Sequence, residues 1–147
     1  VLREALEGVK PAADAKRLTV DVDFDRFAGS VMADASRLQQ IFWNLLTNAV
    51  KFTPEGGRID VSLAAQDHHV EIKVKDNGAG ISKDFLPYVF DRFSQDAANA
   101  EKSGGLGLGL AIVRQLTGLH GGRVSAESEG ENKGATFTVR FPVSEQA

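Results

Sequence analysis

Two segments of strict alternation constrain the fold most. Apolar residues occupy every second position in Ile-Asp-Val-Ser-Leu at 59–63 and again in Val-Glu-Ile-Lys-Val at 70–74. A period of two is typical of a strand with one buried face and one exposed face. We therefore predict strands over 58–65 and 69–75, whose apolar faces need a covering layer.

The other predicted elements follow from helical spacing, further alternation and breaker residues. Helices are predicted over 1–15, 34–52, 83–90 (short) and 107–120, and strands over 18–24, 123–128 and 135–141. Pro11 predicts a kink or break in the first helix, and Asp34 predicts an N-cap for the second. Helices on one face of a mixed or antiparallel sheet fit this order better than strict βαβ alternation. We predict a two-layer α/β sandwich forming one domain over 1–147.

Composition excludes several classes of protein. The net charge is −3 and the basic residues are scattered, which argues against strong binding to nucleic acid or anionic lipid. The chain has no cysteine, so disulfides and thiolate metal sites are excluded. Its apolar runs are shorter than the roughly 18 residues that span a bilayer, and the first residues do not resemble a signal peptide. We expect a cytoplasmic domain, and any membrane anchor of a parent protein would lie outside this sequence.

The long second helix has a polar edge opposite its apolar face. At about 100° per residue, Asn44, Asn48 and Lys51 fall within roughly 60° of one another. Amide oxygens suit Mg²⁺, which keeps waters and takes other ligands from phosphates, and a nearby lysine adds positive charge. An ordinary solvated helix face explains the same spacing equally well.

Two glycine-rich segments are the other candidates for a site. In Asp76-Asn77-Gly78-Ala79-Gly80, an acceptor at a strand end precedes glycines that let a flat ring approach, although a plain turn is the commoner meaning. The segment 104–110, Gly-Gly-Leu-Gly-Leu-Gly-Leu, opens a helix, where free backbone N–H groups bind anions. Its spacing fits neither a Rossmann fingerprint nor a P-loop. Tight helix packing is the alternative explanation.

Five motifs in order resemble the histidine-kinase branch of the ATPase superfamily that also contains gyrase, the Hsp90 chaperone and MutL. The segments similar to that family's N, G1, F, G2 and last glycine boxes are 44–52, 76–80, 89–95, 105–109 and 134–137. Each motif is weak alone, and together they cover nearly the whole chain. The resemblance implies the Bergerat-type ATP-binding fold, a mostly antiparallel sheet with about three helices on one face.

The resemblance also implies roles for individual residues. Asn48 would hold Mg²⁺ with Asn44 beside it, and Lys51 would meet the phosphates of ATP. Asp76 would accept from the adenine amine, with Thr136 supporting it. The remaining nucleotide-contacting positions would be Gly78, Gly80, Phe93, Gly105, Gly107, Gly109 and Leu110.

A mobile lid over 94–106 is a further implication of the resemblance. It would be anchored by Phe90 and Phe93. Arg92 would reach the γ-phosphate, with an ordinary surface charge as the alternative.

One position favours transfer of phosphate over hydrolysis. Relatives that hydrolyse ATP carry glutamate where this chain has Asn44, and a neutral amide is no general base. The chain contains no motif like the family's phosphoacceptor histidine box, so residues 1–17 resemble the junction after an absent dimerisation hairpin. The implied partners are that histidine-bearing domain and a response-regulator receiver. A stand-alone anti-sigma-factor serine kinase and a non-catalytic nucleotide-binding module are the alternatives.

Overall fold

A computed structural model describes residues 2–24, 35–66, 68–91 and 109–142. In chain order the elements are α1 (Leu2–Ala15), β1 (Thr19–Phe24), α2 (Ala35–Phe52), β2 (Arg58–Gln66), β3 (His69–Asp76), a 3₁₀ turn (Leu86–Tyr88), α3 (Gly109–Leu119), β4 (Arg123–Glu127) and β5 (Ala135–Pro142). The predicted two-layer sandwich is confirmed: three helices pack with a five-stranded mixed sheet in these residues.

The sheet has the strand order β1-β2-β3-β5-β4. Strand β1 is parallel to β2, and the other neighbouring pairs are antiparallel. The parallel pair is joined through α2, so one βαβ unit begins a sheet that continues as antiparallel strands. The two strands predicted from alternation are confirmed as β2 and β3. They pair from Ile59 opposite Asp76 to Gln66 opposite His69.

The apolar face of the sheet and the apolar faces of the helices form one core. Ile41 and Leu45 of α2, Val113 of α3, and Val139 and Phe141 of β5 are all at most 1% exposed. Polar and charged side chains occupy alternate positions on the strands, so the opposite face of the sheet meets solvent. This arrangement leaves the polar edge of α2 outside the core.

The first helix is an integral part of this core. It packs against α2 and buries Leu2, Ala5, Val9 and Ala13. The helix runs without interruption from Leu2 to Ala15, so Pro11 does not break it, while the kink that was the other expectation stays a prediction. A proline inside a helix removes one backbone hydrogen bond, and here Val9 and Ala13 on either side of it are buried. That residues 1–17 follow a dimerisation hairpin stays a prediction.

Two predicted boundaries differ from the structure or lie outside it. The short helix expected over 83–90 is a 3₁₀ turn of three residues, Leu86–Tyr88, with Pro87 in it. The N-cap assigned to Asp34 lies outside the described residues. No helix in the described part of the chain is long and apolar enough to cross a membrane.

Lys16 satisfies carbonyl groups at the carboxyl end of α2. Its Nζ donates to the carbonyl of Val50 at 2.6 Å and to that of Lys51 at 3.2 Å. The last carbonyls of a helix lack partners within the helix and carry the negative end of its dipole. A cation from the α1–β1 turn therefore ties α1 to the end of α2 that carries Lys51.

We predict that Lys16→Met lowers the free energy of unfolding by about 1.5 kcal/mol, because two carbonyls lose a charged donor. Urea unfolding of the variant measures this. Lys10→Met is the matched control, since Lys10 is an exposed lysine on α1. Equal unfolding midpoints for Lys16→Met and the control would contradict the capping role.

Candidate nucleotide site

Asp76 is a buried acid at the last position of β3. It is 4% exposed, on the same face of the sheet as the core residue Val74. Its Oδ1 accepts the backbone N–H of Gly78 at 2.9 Å, and the backbone of Ala135 also hydrogen-bonds the carboxyl group. Burial raises the pKa of Asp76, and these two hydrogen bonds oppose the rise. A carboxylate has about four lone-pair sites, so it can accept further donors.

The loop after Asp76 is pressed between two other backbones. The Ala79 N–H donates to the carbonyl of Phe52 at 2.9 Å, and a Cβ at Gly78 would collide with that same carbonyl. Gly80 has a φ of +71°, and a Cβ there would collide with the carbonyl of Gly130. Close backbone packing therefore requires glycine at both positions. This reason differs from the predicted approach of a flat ring.

The polar edge of α2 lies beside the start of α3. Asn44 and Asn48 are partly buried and Lys51 is exposed. The Asn44 Nδ2 lies 3.5 Å from the carbonyl of Gly109, the first residue of α3. Among the described residues, no atom lies within 4 Å of a Cβ placed at Gly109. Free N–H groups at such a start attract anions.

These contacts make an elongated site along α2. The start of α3 meets the helix at Asn44, and the loop after Asp76 meets it at Phe52. Eight residues separate these positions, which is about 12 Å along the axis. The arrangement presents a buried acceptor at one end, and Asn44 with the start of α3 at the other. Asn48 and Lys51 lie on the helix edge between them, with Lys51 next to Phe52.

The residues present fit Mg²⁺ only if a ligand supplies most of its coordination. Among the described residues, no group of three His, Asp or Glu side chains could hold a metal. The candidate protein ligands are the neutral amide oxygens of Asn44 and Asn48. Mg²⁺ keeps waters and binds substrate phosphates alongside one or two protein ligands, so this sparse donor set suits it.

The structure places Thr136 away from Asp76, which corrects its predicted supporting role. Asp76 lies opposite Ala135, whereas Thr136 lies opposite Lys75. Directly paired residues in antiparallel strands point to the same face, and successive residues point to opposite faces. The Thr136 side chain therefore shares the outer face with Lys75. The backbone of Ala135 supports Asp76 instead.

Several predicted site residues lie outside the described residues: Arg92, Phe93, Gly105, Gly107 and the lid segment 94–106. Of the two predicted anchors only Phe90 is described, and residues that flank the undescribed segment make contacts with the rest of the domain. The Phe90 ring packs edge-on against Phe137, with centroids 6.1 Å apart, and Asp91 pairs with Arg114 of α3 at 3.5 Å. Leu110 packs against the hydrophobic core.

Sequence reasoning missed Lys16 and Ser128. Lys16 holds the end of α2, and the Ser128 hydroxyl holds the segment after Gly80 through the N–H of Ile81, at 2.9 Å. Ser128 lies in the polar, glycine-containing segment between β4 and β5, and this composition could have marked the segment as a structured loop. Lys16 had no such signal, because a lysine after a helix is ordinary.

Comparisons with known proteins agree with this geometry. Residues 33–145 match the family described as histidine kinase-, DNA gyrase B- and HSP90-like ATPases. The signal transduction histidine-protein kinase AfsQ2 of Streptomyces coelicolor is 40% identical over 140 residues, which are 95% of this chain. The chain spans 26% of the length of that relative.

Solved structures of similar fold include a sensor histidine kinase. The mycobacterial sensor histidine kinase MprB superposes with a TM-score of 0.85 at 30% identity, covering 99% of this chain and 93% of that one. Full-length ShkA in complex with AMPPNP gives 0.84 at 34% identity, covering 99% of this chain and 30% of that one. The chain therefore belongs to the histidine kinase-, DNA gyrase B- and HSP90-like ATPase family, and it is a catalytic ATPase domain of the sensor histidine kinase type.

Proposed function

We propose that this domain binds Mg-ATP in the cytoplasm and delivers its γ-phosphate to a histidine on a separate dimerisation domain of the same parent protein. A response-regulator receiver would then take the phosphate. The observation that carries the proposal is the distance between this chain's own histidines and the site. We infer that the nucleotide is ATP from the family, which consists of ATPase domains, and from the relatives, which are sensor kinases.

The three histidines of the chain lie at the far ends of the elements that build the site. His120 follows α3, and its Nδ1 lies 2.7 Å from the carbonyl of Leu116. Eleven residues separate His120 from Gly109, which is about 16 Å along the helix. His69 begins β3 and lies about 23 Å along that strand from Asp76, and His68 precedes it in the turn. These spacings favour a nucleophile supplied by another domain.

The site residues divide the work between the two ends of the nucleotide. Asp76 accepts from the adenine amine. Lys51 and the start of α3 neutralise the phosphates, with Asn48 and Asn44 as amide ligands. Mg²⁺, when bound, supplies charge that offsets the phosphate oxygens. Positioning and electrostatics provide most of the catalysis in phosphoryl transfer, so no covalent role for this chain is required.

Asn44 supports transfer to a protein over hydrolysis. Its amide lies against the start of α3, where the developing charge of the transferred group would be stabilised. An amide cannot take a proton from water near neutral pH. The two alternatives are a serine kinase, whose relatives have glutamate at the position of Asn44, and a non-catalytic module. Neither would transfer phosphate to a histidine hairpin.

We predict that Asp76→Asn weakens ATP binding by about 10- to 150-fold, because a hydrogen bond to a charged acceptor is lost. The Asn Oδ1 can still accept from Gly78, which leaves Nδ2 to face the adenine amine donor to donor. Inosine triphosphate replaces that amine with an oxygen, so its affinity relative to ATP should rise. Calorimetry with both nucleotides measures this; an unchanged preference for ATP would remove Asp76 from base recognition.

The stability of Asp76→Asn relative to the parent should depend on pH. Because burial raises the pKa of Asp76, the stabilisation from proton binding is complete below the ordinary pKa of about 3.9 and is lost as pH rises through the folded value. Asparagine does not titrate. The unfolding free energy of Asp76→Asn minus that of the parent should therefore increase with pH across this interval in urea titrations.

Mg²⁺ should increase the affinity for ATP by a certain factor. We predict that Asn48→Ala lowers this factor at least about tenfold. The apolar face of α2 is untouched and alanine favours helix, so the fold should persist. A fluorescent ATP analogue titrated with and without Mg²⁺ measures the enhancement. Gln39→Ala removes an exposed amide from the same helix and should match the parent; an equal Mg²⁺ response in both variants would exclude Asn48 as a ligand.

The chain alone should bind ATP without labelling itself. Effective molarities of about 10⁵–10⁸ M are lost when the nucleophile is absent. Incubation with γ-labelled ATP and Mg²⁺ should give acid-labile phosphate only after the upstream histidine hairpin of the parent is added. Label on the isolated chain that disappears in a His120→Gln variant would overturn the proposal, and label on a serine of a partner would favour the serine-kinase alternative.

A further inference from the structure

The segment between β4 and β5 runs along the loop that follows Asp76 and holds it on the side opposite α2. Its backbone N–H groups donate to that loop at two points: Asn132 to the carbonyl of Ala79 at 2.7 Å, and Gly134 to the carbonyl of Gly78 at 3.2 Å. We call residues 128–134 the β4–β5 strap. The loop is thus held on one side by α2 and on the other by this strap.

The strap contains three residues of positive φ, two of them glycines. Gly130, Asn132 and Gly134 have φ values of +130°, +63° and +75°. Asparagine tolerates the left-handed region at some cost, and glycine pays in conformational entropy. A strap with three such residues keeps one shape only where its bonds to neighbours fix it.

Ser128 supplies a fixed point for both segments. Its hydroxyl accepts the Ile81 N–H at 2.9 Å and the Gly130 N–H at 3.3 Å, and it donates to the carbonyl of Gly134 at 2.7 Å. A hydroxyl has one proton and two lone pairs, so these contacts use its full capacity. Ile81 is 7% exposed, so water is a poor replacement for the lost partner.

The hydroxyl controls the far end of the loop whose near end carries Asp76. Between these ends, the Ala79 N–H is bonded to Phe52 and the Gly78 N–H is bonded to the Asp76 carboxylate. Loss of the hydroxyl releases the Ile81 end and also the strap, which Ser128 holds at Gly130 and Gly134 and which donates to the loop. The loop can then move about the Ala79–Phe52 bond. The donor from Gly78 then shifts, and the carboxylate loses its aim.

We propose that Ser128 is a positioning residue for base recognition, acting through the loop and Asp76. This inference rests on the proposed binding of ATP. It assigns to a serine on the β4–β5 strap a role in selecting the base. The phosphate end of the site, on α2 and α3, is outside its reach.

The test compares affinities for ATP and inosine triphosphate, both with Mg²⁺, by calorimetry on the 147-residue chain. For Ser128→Ala we expect ATP affinity to fall about tenfold, with inosine triphosphate unchanged, so that the selectivity ratio falls by the same factor. Ser128→Thr keeps the hydroxyl and should restore the ratio. Ser125→Ala is the matched control, an exposed serine on β4 with the same change. Amide exchange at Ile81 should accelerate in Ser128→Ala alone.

The outcomes separate this inference from the proposed function. A parent chain that binds no ATP overturns both. A parent that prefers ATP, with the same preference in Ser128→Ala, overturns only the positioning role. Equal losses for the two nucleotides would show a structural role and also overturn it. If Ser128→Ala does not fold, Ser128→Cys, with weaker hydrogen bonds in a similar volume, should give a smaller loss of the ratio, and an unchanged ratio there overturns the role.

Discussion

The hydrogen bond from the Ala79 N–H to the Phe52 carbonyl joins the two halves of the site. Phe52 ends α2, whose polar edge carries the amides and the lysine, and Ala79 lies in the loop that follows the buried acid. The bond forms only because Gly78 has no side chain to hold the backbones apart. Lys16 occupies the neighbouring carbonyls of α2, so the last turn of the helix has partners on both sides. The Asp76 carboxylate and the polar edge of α2 therefore keep a fixed separation without direct contact.

A buried carboxylate is a cost to stability that a purely structural residue would not require. Asp76 caps the strand by accepting the Gly78 N–H, and asparagine could do the same with less loss of solvation. Its raised pKa records that loss, and the two backbone bonds recover only part of it. Acids placed at such a cost inside a site are commonly there for binding or catalysis. Under the proposed function, the compensation is specificity for a base that presents an amine.

The sequence predicted the elements well and the contacts between them poorly. Alternation in β2 and β3 and the apolar face of α2 follow directly from burial on one side, and the structure confirms both. The predicted supporting role of Thr136 is wrong because its side chain points to the outer face of the sheet. Phe137 faces the core, so the residue before it on the strand faces away. The alternation of β5 could have predicted this orientation. The Ser128 bonds depend on a strap with three positive φ values, which no periodicity encodes. Pro11 does not break α1, and the residues on either side of it, Val9 and Ala13, are buried in the core.

The spacing of the elements also bears on why the acceptor would lie on another domain. In both β3 and α3 the histidine lies at the end opposite the site, and each of these elements is rigid over its length. Bringing His120 to Asn44 would require α3 to unfold, since Val113 and Thr117 bury its middle in the core. With a neutral amide at position 44, water is also a poor nucleophile. A bound nucleotide would then be kept until a partner presents an acceptor. Under the proposed function, the rate of transfer would be set by how often the two domains meet in the right orientation.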